Sequence, residues 1–296
     1  MEMTKIGFIG TGVMGATIAG HLMEAGNELF VYNRTKAKTD ELVEAGAVYA
    51  ATPQEVAEQA ELIFSMVGYP KDVEEIYFGE NGVFEAELKG KVLVDMTTSE
   101  PGLAIRIAEK AKAVGAESLD APVSGGDIGA KNATLTIMVG GDESAYEKVL
   151  PFFELVGKTI MLQGPAGAGQ HTKMANQIGI AGTMTAMVEL MVYADKAGLD
   201  MDKVLTTLGG GGASTWSLSN YAPRILAEDF TPGFFVKHFI KDLGIALSEA
   251  EKMGLELPAT AGAKALYDQL ANKGFENDGT QALIKLFWED GKRPQN

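Results

Sequence analysis

Lys5-Ile-Gly-Phe-Ile-Gly-Thr-Gly-Val-Met-Gly15 is the stretch whose reading decides the fold. A short apolar run, Lys5 to Ile9, ends in glycines, and Ala16 to Glu24 then reads as a helix closed by Gly26. Glu28 to Tyr32 supplies a second strand, so the glycines sit where a strand turns into the helix of a βαβ unit. There the first glycine permits the tight turn, the second lets a pyrophosphate approach the backbone, and the third allows close helix packing. The helix N-terminus faces the phosphates. The candidate cofactor contacts on this turn are Gly10, Thr11, Gly12, Val13, Met14 and Gly15.

The end of the second strand bears on which dinucleotide binds. Asn33-Arg34-Thr35, followed by Lys36 and Lys38, stands where an acid would bind a ribose 2′-hydroxyl. An arginine there suits a 2′-phosphate, with Asn33 and Thr35 as further polar contacts, so NADP is favoured and NAD is possible. The plain alternative is that Arg34 is a solvated turn residue.

Apolar runs at Leu62–Val67 and Val92–Met96 extend the alternation of strand and helix. Their loops lie at the ligand-binding edge of a parallel sheet, which makes Val67 and Thr97 cofactor candidates. Ser99 before Pro101 reads as the cap of a helix running Leu103 to Val114. Asp120-Ala-Pro-Val-Ser-Gly-Gly126 follows a strand at Glu117–Leu119, and its Ser124-Gly125-Gly126 turn offers a hydroxyl and backbone N–H groups to a small carboxylate. As an isolated tripeptide it reads equally as a plain loop. A strand at Leu135–Val139, a helix at Glu143–Val156 and a last short strand complete a dinucleotide-binding domain over residues 1–164. Gly164 to Gly169 then reads as a linker.

Gly167-Ala-Gly-Gln-His-Thr-Lys-Met-Ala-Asn-Gln177 opens a long central helix that continues to Ala194 and begins an all-helical domain, residues 165–296. It is apolar almost all round, which predicts burial. Lys173, Asn176 and Gln177 share one face. A buried lysine is costly unless paired or used in chemistry, so Lys173 is the candidate acid/base, the alternative being a lysine snorkelling at a helix end. Further on, Phe234 precedes His238, Lys241 and Asp242, whose spacing places two cations and an anion on one helical face. Taken alone, that pattern reads as a surface ion cluster. Gly209 to Gly212 reads as a hinge or a close backbone approach, and the three histidines are too dispersed for a metal site.

Composition narrows the partners. The chain has 296 residues, 46% hydrophobic and 22% charged, with a net charge of −15 and no cysteine. Disulfides, thiol catalysis and cysteine-ligated metals are excluded. The acidity argues against nucleic acid or anionic membrane as partners. No secretory pattern opens the chain and no span has membrane flanks, so a cytoplasmic protein is expected.

With these motifs together the chain resembles the β-hydroxyacid dehydrogenases, the family of 3-hydroxyisobutyrate dehydrogenase and tartronate semialdehyde reductase. Gly7–Gly15 is similar to the family's cofactor signature, Asp120–Gly126 to its substrate signature, Gly167–Lys173 to its catalytic signature and Lys241-Asp242-Leu243 to the pair that follows. The resemblance implies an α/β Rossmann-type doubly wound sheet plus an all-α domain, with hydride transfer between NADP or NAD and a short β-hydroxyacid or semialdehyde acid. It implies Lys173 as acid/base, with Ser124, Gly125 and Gly126 on the substrate carboxylate. It also implies Lys241 beside the nicotinamide, Asp242 nearby and Phe234 against substrate.

Many relatives carry Asn four residues after the lysine, where this chain has Gln177 with Asn176 before it, so either amide is a candidate substrate contact. A second departure is Ala133-Thr134 where the family usually has Gly-Thr. The alternatives are an idle NADP-binding module and an enzyme like the imine reductases, which lack the lysine. Trp216, Asn220 and Phe234 are candidates for sorting tartronate semialdehyde, methylmalonate semialdehyde, succinic semialdehyde and glyoxylate. The apolar helix further predicts a homodimer or homotetramer, with Met184, Met187, Val188 and Met191 at the interface. Packing of both domains on opposite sides of the helix would bury it equally well.

Overall fold

The structure is a computed structural model that describes residues 3–288. The outermost ends of the two expected domains, residues 1–2 and 289–296, lie outside the described residues. The chain divides into two compact units between Lys173 and Met174, inside a helix.

The first unit is built on strands β1 (Lys5–Ile9), β2 (Glu28–Tyr32), β3 (Val48–Tyr49), β4 (Leu62–Ser65), β5 (Val92–Asp95), β6 (Glu117–Asp120), β7 (Val123–Ser124), β8 (Leu135–Gly141) and β9 (Gly157–Gly164). Helices α1 (Val13–Glu24), α2 (Asp40–Glu44), α3 (Pro53–Gln59), α4 (Pro70–Phe78), α5 (Pro101–Ala113), α6 (Gly126–Lys131) and α7 (Glu143–Phe153) connect them. The sheet order is β3-β2-β1-β4-β5-β6-β8-β7, with β9 paired to β8. β1 to β6 pair in parallel, and the order 3-2-1-4-5-6 is that of a dinucleotide-binding sheet. β8 breaks the pattern by running antiparallel to β6 and β7.

Alternation along the central strands sends side chains to both faces, and each face builds a core. Phe8, Phe64 and Val94 lie in one cluster, and Ile9, Ile63 and Leu93 in the other. Phe8 stacks on Phe64, whose edge meets Phe153.

Helix α8 (Ala168–Lys196) starts in the first unit and continues into the second, which adds α9 (Met201–Gly209), α10 (Trp216–Leu226), α11 (Val236–Lys252) and α12 (Pro258–Leu270). The α8 side chains Met184, Met187, Val188 and Met191 pack with Leu218, Phe239, Leu243 and Tyr267 in the core of that unit. Two expectations are corrected here. The helix is buried on one face only, while Gly179, Gly182, Ala186 and Tyr193 are exposed. Much of its apolar character comes from glycine and alanine, which offer little side chain to bury. The methionines named for an oligomer interface are instead consumed by the chain's own core.

Candidate active site

The glycine turn divides its work among three positions. Gly10 takes φ +98°, and a Cβ there would lie 2.3 Å from the Met66 carbonyl oxygen. A Cβ on Gly15 would collide with the Gly10 carbonyl, which is how closely α1 rests on β1. At Gly12 a Cβ would meet nothing within 4 Å, so the turn is open on that side. Gly12 also caps α1 without a side-chain hydrogen bond, leaving the first-turn N–H groups to a ligand or to water. An open backbone next to a helix start fits a dinucleotide pyrophosphate.

Beside it, the Thr11 N–H donates to Asn33 Oδ1 at 3.1 Å, and Asn33 Nδ2 donates to the Thr35 carbonyl at 3.0 Å. Asn33 therefore ties the turn to the end of β2. Arg34 is 74% exposed through its side chain, and its Nη1 donates to Asp72 Oδ1 at 3.2 Å with Glu75 Oε2 4.0 Å away. Reading only the end of β2 missed these acids, because α4 brings them in from nearly forty residues on. Asp72 also accepts from the Tyr69 N–H at the start of α4.

Below the next two loops lies a buried polar chain. Ser65 Oγ meets Tyr77 Oη and donates to Asp95 Oδ1 at 2.8 Å, and the Thr97 N–H donates to the same oxygen at 3.1 Å. Thr97 Oγ1 accepts from the Val67 N–H at 3.0 Å, so the two candidate cofactor loops are joined to each other. Burial pushes the Asp95 carboxyl up to about 6, against the pull of its bonds to Thr97 and Ser65, and the nearby Asp120 adds to the rise. Ser99 is not the cap of α5, since the helix starts at Pro101 behind Glu100. The pre-proline position holds Glu100 extended, and the Ser99 N–H is turned instead to Gln170 Oε1 at 2.9 Å.

Asp120 stands beside Asp95 in register on the adjacent strand. Its Oδ1 accepts from the Gly167 N–H at 2.7 Å and its Oδ2 from the Gln170 N–H at 2.8 Å. The expected linker at Gly164–Gly169 is thus the end of β9 and the bonded start of α8. One turn on, Lys173 is 5% exposed and its Nζ donates to the Val123 carbonyl at 2.9 Å. Val123 immediately precedes Ser124, Gly125 and Gly126, and both glycines take positive φ, +130° and +62°. The first unit therefore brings Lys173 and the Ser124 loop together.

In the second unit Asn176 Nδ2 donates to Gln177 Oε1 at 2.8 Å, and Gln177 Nε2 donates to Asp242 Oδ2 at 2.6 Å. Lys241 Nζ lies 3.0 Å from Asp242 Oδ1, an ion pair without hydrogen-bond alignment. Asp242 is fully buried, so this is no surface ion cluster; the core-facing side of α11 carries it inward. Phe234 is half-buried and packs edge-on against Phe239. Trp216 and Asn220 are exposed on α10, and the Asn220 amide donates back to the Trp216 carbonyl. Gln170 is fully buried and, like Ser65, Asp72 and Asp95, is a buried polar residue that the sequence reading did not single out. Its place seven residues, about two helical turns, ahead of Gln177 was the available clue.

Two family models match the chain. One describes the NAD binding domain of 6-phosphogluconate dehydrogenase and covers residues 5–164. The other describes the NAD-binding region of NADP-dependent 3-hydroxyisobutyrate dehydrogenase and covers residues 167–287. The chain is 50% identical to a probable 3-hydroxyisobutyrate dehydrogenase-like protein of Arabidopsis thaliana, over 95% of this chain and 84% of that one. It is 43% identical to the 2-hydroxy-3-oxopropionate reductase of Escherichia coli, over 95% and 96% of the two chains. Among solved structures, 3-hydroxyisobutyrate dehydrogenase of Mycobacterium tuberculosis with L-serine superposes with a TM-score of 0.90 at 28% identity, covering 97% of this chain and all of the other.

Proposed function

From the premise that the chain belongs to the β-hydroxyacid dehydrogenase family, and is an NAD(P)-dependent oxidoreductase of CH–OH groups, we propose that it interconverts a short β-hydroxyacid and its semialdehyde acid with Lys173 as acid/base. The nicotinamide supplies the hydride in reduction and takes it up in oxidation. Lys173 handles the matching proton. Its ammonium donates to the carbonyl oxygen as that oxygen becomes an alkoxide, and its neutral amine takes the hydroxyl proton in the reverse direction. The observation that carries this reading is the buried Lys173 amine, held by the Val123 carbonyl next to Ser124. The Ser124 hydroxyl and the Gly125 and Gly126 amides bind the substrate carboxylate. Gln177 is occupied at both ends by Asn176 and Asp242, which favours Asn176 as the amide that meets substrate. By resemblance to the family, Phe234 would supply apolar contact to substrate and Lys241, paired with Asp242, would serve the nicotinamide.

Gly10 to Gly15 with Val67 and Thr97 hold the dinucleotide, and NADP is preferred because Arg34 is exposed to meet a 2′-phosphate. A three- or four-carbon substrate is favoured by the relatives: one is named for 2-hydroxy-3-oxopropionate, and another was solved with L-serine, itself a three-carbon β-hydroxyacid. Following nicotinamide absorbance with NADPH and NADH against a panel of semialdehyde acids tests the reading. Turnover of at least one three- or four-carbon member is expected, and binding of NADPH without turnover of any would overturn it. A homodimer or homotetramer formed through the exposed Gly179, Gly182 and Tyr193 side of α8 belongs to the same proposal. Light scattering showing a monomer mass would remove it without touching the chemistry.

A further inference from the structure

We infer that Gln170, together with Asp120, is a positioning residue that sets Lys173 against the two cofactor loops, an inference resting on the reading of Lys173 as acid/base. The start of α8 is fastened to the ends of β6 and β8 almost without side chains between them. A Cβ on Gly169 would lie 2.4 Å from the Met138 carbonyl oxygen and 2.6 Å from that of Asp120. A Cβ on Gly140 would lie 2.7 Å from the Gly169 nitrogen. Onto this contact the Asp120 carboxylate adds its bonds to Gly167 and Gln170, so both its oxygens grip the first turn. A helix start normally leaves these N–H groups to water or a local cap. Here they are taken by a side chain from a strand 47 and 50 residues earlier.

Gln170 converts that grip into a link. Its side chain is fully buried; Nε2 donates to the Thr97 carbonyl at 2.7 Å and Oε1 accepts from the Ser99 N–H at 2.9 Å. Thr97 in turn holds Val67 through its hydroxyl. A continuous path of hydrogen bonds therefore runs from Val67 through Thr97 and Gln170 to the turn of α8 that carries Lys173 three residues on. The demands at position 170 are specific: one donor and one acceptor, both buried, which glutamine meets and neither leucine nor ionised glutamate does. Holding a proton-transferring group to within a fraction of an ångström is what such a brace contributes, since small displacements of a catalytic group cost large factors in rate.

The test compares Gln170→Leu, Gln170→Glu and Lys173→Ala with the unaltered enzyme, by steady-state kinetics, NADPH titration and thermal unfolding. Gln170→Leu should lower kcat by roughly 10-fold or more while substrate KM and NADPH affinity stay within about 3-fold. Gln170→Glu should be as impaired at alkaline pH, but its kcat relative to the unaltered enzyme at the same pH should recover as the pH falls, because a protonated carboxyl donates to the Thr97 carbonyl as the amide does. The titratable groups around this position are Asp120 from β6, Asp95 from β5 and Lys173 on α8, and all three remain in both proteins, so the ratio isolates residue 170. Unchanged kcat in Gln170→Leu would overturn the inference. So would a loss that tracks weakened folding and is flat with pH in the glutamate variant. If Lys173→Ala retains turnover, the acid/base reading fails; if it loses turnover while both Gln170 variants keep theirs, only the positioning inference fails.

Discussion

The two halves of α8 make opposite use of burial. Its first turns bury Gln170, Lys173 and Gln177, and each has polar partners: Thr97 and Ser99, Val123, then Asn176 and Asp242. Its later turns bury Ala181, Met184, Met187, Val188 and Met191 in an apolar core. Each buried methionine or valine contributes about 1.5–3 kcal/mol to folding, whereas a buried amide or amine roughly breaks even when satisfied and is costly when not. Polar burial in a stretch that could have been apolar is therefore a mark of chemistry, and the later turns are a mark of architecture.

The sharpest way to break that contrast is at Lys173. Lys173→Ala should cut turnover by at least ~10²-fold with cofactor affinity and unfolding temperature little changed. Near-normal turnover would make the first half of the helix no different from the second. The mirror experiment is Met184→Ala, which should cost about 2–5 kcal/mol of stability by leaving a cavity. Activity per folded molecule should persist, as denaturant titration alongside kinetics would show, and selective loss of kcat would blur the division.

A control outside the helix is Arg34→Asp. It removes the exposed cation near Asp72 and Glu75 and should move the NADPH-to-NADH preference toward NADH by about 10-fold. An unchanged ratio of kcat/KM values would mean that the guanidinium stays with Asp72 when cofactor binds.

The smallest effect belongs to the acid next to Asp120. Asp95 is pushed up from 3.8 to about 6, so between these values the folded chain binds its proton more tightly than the unfolded chain does. The stability this contributes is fully present below pH 3.8 and lost as the pH rises through about 6. Asp95→Asn cannot ionise, so its stability relative to the unaltered protein should rise by about 1 kcal/mol between about pH 5 and about pH 8. A difference that is flat over that range would show the carboxyl to be ionised throughout.

Much of the fold was legible because it is written in local periodicity. The bounds of β1 and β2 match the apolar runs around Gly10–Gly15 residue for residue, and α8 follows its long run within two residues at the far end. The candidate site was less legible. Asp72 beside Arg34, the Ser99 N–H on Gln170 and the Asp120 carboxylate on the start of α8 join positions tens of residues apart, and nothing in the spacing of either partner announces the other. The methionine face of α8 shows the same limit, since periodicity groups Met184, Met187, Val188 and Met191 on one side without saying what covers them.

By itself the sequence determined the strand-turn-helix at Gly10–Gly15, the alternating elements of a sheet domain, a long helix carrying Lys173 and the family to which these motifs belong. Only the tertiary structure decided that β8 runs antiparallel, that Asp242 is buried, that Arg34 meets acids from α4 and that Gln170 links α8 to the Thr97 loop. Periodicity reports which face of an element is apolar, because that follows from bonds along the chain. The partner a buried polar group finds depends on which distant segment packs against it, and that is settled only when the whole chain closes its core.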